Sequence, residues 1–307
     1  MLHANLSRYH ESVASPHISS ASKLTRRNFL RAGFAGAAGL ALYSGEIARH
    51  VIEITHPEIR LPNLPPAFDG FRIAQLSDIH LNEFTEPFFL REAIDHINRL
   101  RPDAVFLTGD FVTHELFPHK WSIPVAWKCA GILDGLQCTQ RYAILGNHDL
   151  GVSAPDVTEA LTHSNIVVLR NSFAALERGS SRIWLTGVDD PVEGHPNIDL
   201  AIPESIRNRA GEPIILMCHA PDFADKLLNH PAGPSVQLML SGHTHGGQIR
   251  IPFISPINLP AWGKKYIEGI FNLQGLQLYV NRGIGTVGVP FRLNCPPEIT
   301  SMTLRRV

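Results

Sequence analysis

Nine side chains able to hold or serve a metal ion fall in five short clusters along this 307-residue chain. They are Asp78 and His80; Asp110; Asn147, His148 and Asp149; His219; and His243 with His245. Carboxylate oxygen, amide oxygen and imidazole nitrogen together suit borderline first-row ions such as Mn, Fe or Zn. The set is too rich in nitrogen for calcium and lacks the thiolates of a structural zinc site. Taken singly, each cluster has an ordinary reading. Asp78 and Asn147 read as turn caps, Gly109-Asp110 as a turn, and His219 as a satisfied core histidine. Five such clusters meeting in one place would be a metal centre.

The apolar runs in front of the clusters supply that place. "FRIAQL" leads into Ser77-Asp78, "AVFL" into Thr108-Gly109-Asp110, "YAIL" into Gly146-Asn147, "PIILMC" into His219 and "VQLML" into Ser241-Gly242-His243. Mainly apolar runs of four to six residues with little alternation read as strands buried on both faces. In such architectures ligands gather at the carboxyl ends of the strands. Between the runs, residues 87–100 place Leu90, Ala93, Ile94, Ile97 and Leu100 on one helical face, with Pro87 in the first turn and Pro102 beyond the end. Shorter helices are expected around 155–164 and 222–229. Strands are expected at "NSFAAL", "RIWLTGV", "YIEGIF", "LQLYV" and "EITSMTL". The pattern predicts an α/β protein with two sheets, helices outside, and no second domain boundary after residue 56. "HPEIRLPNLPPAFDG" (56–70) reads as a proline-rich lead-in extended along the surface.

In this order the clusters spell D-x-H, G-D, G-N-H-D, H and G-H-x-H, and the chain thereby resembles the calcineurin-like metallophosphoesterases. The resemblance covers roughly residues 68–307 with no ligand position missing. "GHTHGGQ" and the late "NRGIGT" (281–286) look most like the family's bacterial exported phosphodiesterase branch. It implies a four-layer α/β/β/α sandwich of two mixed sheets flanked by helices. It also implies two divalent metals, with Mn favoured over Fe or Zn. Asp78, His80 and His245 would hold the first ion, Asn147, His219 and His243 the second, and Asp110 would bridge them. Two cations ~3.5–4 Å apart bind one phosphate and lower the pKa of a shared water. His148 is the expected proton donor to the leaving oxygen, with Asp149 either orienting its ring or purely structural. Arg282 is a candidate phosphate contact beside Gly283 and Gly285, whose N–H groups would form an anion nest. The alternative for Arg282 is a tight turn in which it pairs with a carboxylate.

The remaining features bear on address and substrate. Thr25-Arg26-Arg27-Asn28-Phe29-Leu30 resembles a twin-arginine export signal, followed by a weakly apolar stretch (32–43) too short to span a bilayer comfortably. Gly33, Gly36 and Gly39 make that stretch a poor helix on propensity. Residues 1–49 are therefore expected to be a signal or membrane anchor and 50–307 the catalytic domain, working outside the inner membrane as a monomer. The expected partners are the export machinery, a phosphoester substrate and a membrane surface. A net charge of −1 offers no basic field for nucleic acid. Cys129, Cys138, Cys218 and Cys295 lack CxxC spacing; a Cys129–Cys138 disulfide is open, with burial as small apolar side chains preferred. An envelope or lipid-linked phosphodiester fits the export signal. A UDP-2,3-diacylglucosamine-type pyrophosphatase and a non-catalytic metal-binding scaffold are the rivals, and no P-loop motif is present. Phe253, Trp262, Lys264 and Lys265, in the proline-broken loop 251–266, are candidates to line a substrate groove or rest at a membrane surface.

Overall fold

The structure is a computed structural model and describes residues 25–81, 84–114, 119–207, 209–256 and 259–307. The polar opening stretch 1–24 lies outside the described residues. Two compact units divide between Leu40 and Ala41. Helix α1 (Arg26–Leu42) is fully exposed and continuous through Gly33, Gly36 and Gly39, so the three glycines do not prevent helix formation. No described helix is long and apolar enough to cross a membrane.

In chain order the second unit contains β1 (Glu53–Thr55), β2 (Glu58–Leu61), β3 (Arg72–Leu76), α2 (Pro87–Leu100), β4 (Ala104–Leu107), α3 (His119–Leu133) and β5 (Arg141–Ala143). It continues with α4 (Asn147–His163), β6 (Val167–Val168), β7 (Ser172–Arg178), β8 (Ser181–Gly187), α5 (Ile198–Ala201) and β9 (Ile214–Met217). The last elements are α6 (Ala224–Leu228), β10 (Val236–Ser241), β11 (Gly269–Leu273), β12 (Leu276–Val280) and β13 (Glu298–Arg306). One sheet runs β1-β13-β3-β4-β5-β6, with β2 also on β13; the other runs β11-β12-β10-β9-β8-β7. Strands β3 to β6 are parallel, as are β8, β9, β10 and β12, while β13–β3, β7–β8 and β11–β12 are antiparallel.

Three hydrophobic clusters define the layers. Because side chains alternate across a strand, Ala74, Leu76, Val105 and Leu107 pack with α2, α3 and α4, while Ile73, Ala104 and Phe106 face the second sheet. Leu185, Ile215, Met217, Leu238 and Leu240 meet them from that sheet. Its outer face, with Trp184, Leu216, Met239 and Leu278, packs on α5 and α6. The result is the expected two-sheet sandwich with helices outside. Burial on both faces explains why β4 and β9 carry four buried residues in a row.

Helix α2 forms over the expected span: Pro87 stands at its start and Arg101, at φ 49°, ends it before Pro102. Helix α4 begins at Asn147, earlier than expected, and is kinked at Ser153 two residues before Pro155. Asn147, His148 and Asp149 therefore occupy a first helical turn. The lead-in is not a surface ribbon: β2 pairs with β13, and Ile59, Leu61, Leu64 and Phe68 are buried between the sheets. All four cysteines are free, and Cys129 is buried in α3.

Candidate metal centre

The two sheets bring the strand ends together. Gln75 near the end of β3 donates through Nε2 to Thr108 Oγ1 at 3.1 Å and, across the sandwich, to Ser241 O at 3.0 Å. Beyond that link Asp78, His80, Asp110, His219, His243 and His245 are all buried. Their ligand atoms fall in overlapping groups lying within 4.8 Å: Asp78, His80 and His245; Asp110, His219 and His243; and His80, Asp110 and His148.

Asp110 joins the groups. Its Oδ2 lies 3.1 Å from His219 Nε2 and 3.5 Å from His80 Nε2. Its Oδ1 accepts the His148 backbone N–H at 3.0 Å. Asp78 Oδ1 lies 3.4 Å from His245 Nε2 and accepts the His243 N–H at 3.0 Å.

Each imidazole is fixed by its other nitrogen. His80 Nδ1 meets Thr113 Oγ1 at 2.8 Å, His219 Nδ1 meets Thr108 O at 2.6 Å, His243 Nε2 meets Ala261 O at 2.7 Å and His245 Nδ1 meets Gly285 O at 3.3 Å. Against a carbonyl that nitrogen must carry the proton, which leaves the opposite lone pair facing the cluster. This is the usual arrangement of metal-binding histidines. Asn147 Oδ1 is buried with no hydrogen-bond partner among the described residues, an acceptor whose desolvation is uncompensated unless a cation meets it. The donor set therefore fits divalent ions.

Electrostatics agree. Burial lowers His243 to about 4 and His245 to about 3, so both are neutral and able to coordinate at pH 7. Burial opposes charge on Asp110 and His219 too. Their mutual attraction overrides it, holding Asp110 well below and His219 well above their ordinary ranges. A cation bound there would take over the charge that the His219 proton supplies.

The backbone is as specialised as the side chains. Asp78, His80, Asp110, His243 and His245 all have φ between 47° and 73°, a left-handed conformation costing roughly 1–2 kcal/mol per residue. Glycines allow the turns to close on one another. A Cβ on Gly242 would stand 1.9 Å from Ser77 Oγ and 2.3 Å from Asp78 Oδ2, and one on Gly146 would stand 2.1 Å from Asp110 Oδ1.

For Asp149 and Arg282 the geometry matches the structural alternative of the two readings each allowed. The Asp149 carboxylate does not touch the His148 ring. It accepts backbone N–H groups of Asp110, Phe111, Val112 and Gly146 at 2.8–3.3 Å, tying the G-D turn to the start of α4. The ring of His148 is instead placed by His114, whose N–H donates to His148 Nδ1 at 3.4 Å. Arg282 points away from the centre because carboxylates hold it: its Nε and backbone N–H bond Glu298 Oε2 at 3.0 Å, and its Nη2 bonds Glu53 at 2.8 Å. Nor do the neighbouring glycines form an anion nest. Gly283 N donates to Asn281 Oδ1 and Gly285 N to Asp78 O.

Some functional residues escaped the sequence reading. Arg292 is fully buried and donates to the carbonyls of Arg282, Gly283, Gly285 and Cys295. Through Gly285 it supports both the Asp78 turn and His245. Asp190 follows β8, so it obeys the same strand-end rule as the ligands. It is buried, organises the N–H groups of Val192 and Glu193, and is pushed up to about 6 by burial.

A cavity of about 650 Å³ opens over the centre, lined by Asp110, Asn147, His148, His243 and His245 on one side. Ile251, Ile254 and Pro260 contribute from the loop after the metal turn, but the four residues expected from it do not line this cavity. Trp262 lies under Lys226 (4.9 Å), Lys265 pairs with Asp225 (2.8 Å), the Lys264 N–H bonds Asp222, and Phe253 points fully into solvent.

A profile of the calcineurin-like phosphoesterases matches residues 71–247. The uncharacterized metallophosphoesterase YkuE of Bacillus subtilis is 35% identical over 295 residues, covering 92% of this chain and 98% of the relative. Phosphodiesterase YaeI of Escherichia coli is 29% identical over 288 residues, covering 92% and 99%. Among solved structures, the calcineurin-like phosphoesterase YfkN of Bacillus subtilis superposes with a TM-score of 0.45 at 13% identity, covering 70% of this chain and 82% of that one.

Proposed function

Because this chain belongs to the calcineurin-like phosphoesterase family, we propose that it is a phosphodiesterase working with two divalent metal ions, Mn favoured over Fe or Zn. The observation that carries the reading is Asp110, whose single Oδ2 faces one imidazole of each ligand group, His80 and His219. Asp78, His80 and His245 would hold one ion, Asn147, His219 and His243 the other, with Asp110 between them. Such a pair supplies electrophilic charge for the phosphoryl oxygens and acidifies a water for in-line attack. His148 serves the leaving oxygen. Its Nδ1 accepts from the His114 N–H, which places the ring proton on Nε2, where it can hydrogen-bond the leaving oxygen and stabilise the charge that develops there. Asp149 keeps that ring in reach indirectly, by holding the first turn of α4 against Asp110.

The name of the Escherichia coli relative supports a diester over a monoester. The paired Arg26 and Arg27 at the start of α1 support export by the twin-arginine route, with an envelope phosphoester as substrate. Hydrolysis of bis(p-nitrophenyl) phosphate and p-nitrophenyl phosphate by stripped enzyme, with Mn added back, tests the activity. Mn-dependent turnover faster on the diester is expected, and none on either ester contradicts the reading. For export, Arg26→Lys with Arg27→Lys should leave the protein in the cytoplasm, and unaffected export would defeat that part.

A further inference from the structure

The far side of the cavity does not match an ordinary nucleotide site. Opposite the ligands its walls are Ile249, Ile251, Ile254, Pro260, Val287 and Val289. Among the described residues no lysine or arginine lines it. Apart from the histidines and Asp110, the one ionisable side chain among those described residues is Glu193, an acid. Among the described lining residues a second phosphate, or any further anionic group, would therefore meet no lysine or arginine and one repulsive carboxylate. Metal ions at the centre would neutralise one phosphate, and the wall beyond is largely aliphatic.

The apolar wall also continues out of the cavity. Ile251, Ile254 and Val289 line it yet remain 44%, 53% and 42% exposed, with Phe253 fully exposed between the first two. Folding alone does not favour such exposure in one place, and exposed apolar surface of this kind beside a site marks where an apolar ligand lies. Asp222 and Asp225 hold the later part of the same loop by bonding the backbone of Lys264 and Lys265 and the Lys265 ammonium. That later part of the loop is thus held beside Pro260 and Ala261, which line the cavity.

From this juxtaposition we infer that the substrate is an amphiphile: a phosphodiester carrying a single negative charge whose long alkyl or acyl arm lies along Ile249, Ile251, Ile254, Val287 and Val289. The inference rests on the reading above that the phosphate sits at the metal centre. It disfavours substrates with two or more phosphates, nucleotide-sugar diphosphates included.

The test uses methyl(alkyl)phosphinates, monoanions whose two P–C bonds make them resistant to hydrolysis, from propyl to octyl, titrated calorimetrically into the full Mn-loaded chain. Each buried methylene should tighten Kd about two- to fourfold, with a negative heat-capacity change that grows along the series. Ending the octyl chain in a carboxylate should weaken binding tenfold or more. Ile251→Asn together with Val289→Asn, both at exposed positions, should flatten the dependence on chain length. Mn-dependent binding of equal strength for propyl and octyl would overturn the amphiphile and leave the metal centre standing. No Mn-dependent binding by any member would overturn both.

Discussion

Two loops of this protein look alike in sequence and do opposite things. Residues 242–247 (GHTHGG) and 281–286 (NRGIGT) each follow a buried strand of the second sheet, and each combines glycines with polar side chains. The first turns His243 and His245 into the cavity and pins them by carbonyls of Ala261 and Gly285. The second sends its polar groups backward, Arg282 to Glu298 and Glu53, and Asn281 to Thr300 and the Gly283 N–H. What it offers the centre is backbone: Gly285 N to Asp78, Gly285 O to His245, and a glycine at 283 where a Cβ would stand 2.4 Å from that of Asp78. A strand-end glycine motif therefore indicates that a loop reaches the site. Which of its groups face inward is decided by partners elsewhere in the chain, here Glu298 at the start of β13.

Breaking the inward-facing side should have the largest effect. Asp110→Asn removes the charge shared by both ligand groups and should nearly abolish turnover together with metal retention, read by elemental analysis and a diester assay. His148→Ala should keep its metal and lose ~10²–10⁴-fold in rate. That loss should shrink for p-nitrophenol leaving groups, which need little protonation, and grow for alkoxides. A loss that ignores the leaving group would reassign His148 to phosphate binding.

The supporting loop should respond through its backbone. Arg292→Lys keeps a cation but loses the planar fork that gathers four carbonyls, and should weaken metal binding about 10–100-fold, as losses behind a ligand do. A Mn titration of refolded, monodisperse variant reads this; unchanged affinity would make Arg292 a packing residue only.

Arg282→Ala is expected to have the smallest kinetic effect, with kcat/KM for a short diester close to wild type and a loss of stability of ~1–3 kcal/mol from the partner left behind. The sign of its pH dependence follows from Glu298. Burial would raise that carboxyl, but Arg282 and hydrogen bonds from Tyr279 and Thr55 hold it below 4.5. A depressed folded pKa contributes stability that is complete above the unfolded value and disappears as pH falls through the folded one. The deficit of the variant should thus be full at pH 7 and shrink below about pH 4.5 in denaturant melts. A deficit independent of pH would mean that Arg282 contributes packing alone.

The contrast also explains what could be read from the sequence. The five candidate ligand clusters were legible because each follows the end of a buried strand, and there imidazoles, carboxylates and glycines recur in one order along the chain. The sandwich was legible for the same reason, since strands β4 and β9 are apolar on both faces. Asp190 obeyed the rule and was passed over, because "GVDDP" carries no histidine. Arg292, Thr113 and His114 had no local signal at all. Arg292 lies outside any motif and acts on carbonyls of a neighbouring loop, while His114 matters only because its N–H meets a ring 34 residues later. The left-handed backbone at Asp78, His80, Asp110, His243 and His245 was equally hidden, since non-glycine residues seldom adopt it and only the network around them imposes it.

The central claim is that one turn delivers one imidazole to each of two ions. Its most direct test is the metal content of Mn-saturated, gel-filtered wild type beside His243→Ala and His245→Ala. Two ions per chain in the wild type and one in each variant is the expected result, with the spin-coupled Mn signal of a pair giving way to that of an isolated ion. A wild-type content of one ion or fewer, unchanged by added Mn or Fe, would contradict it.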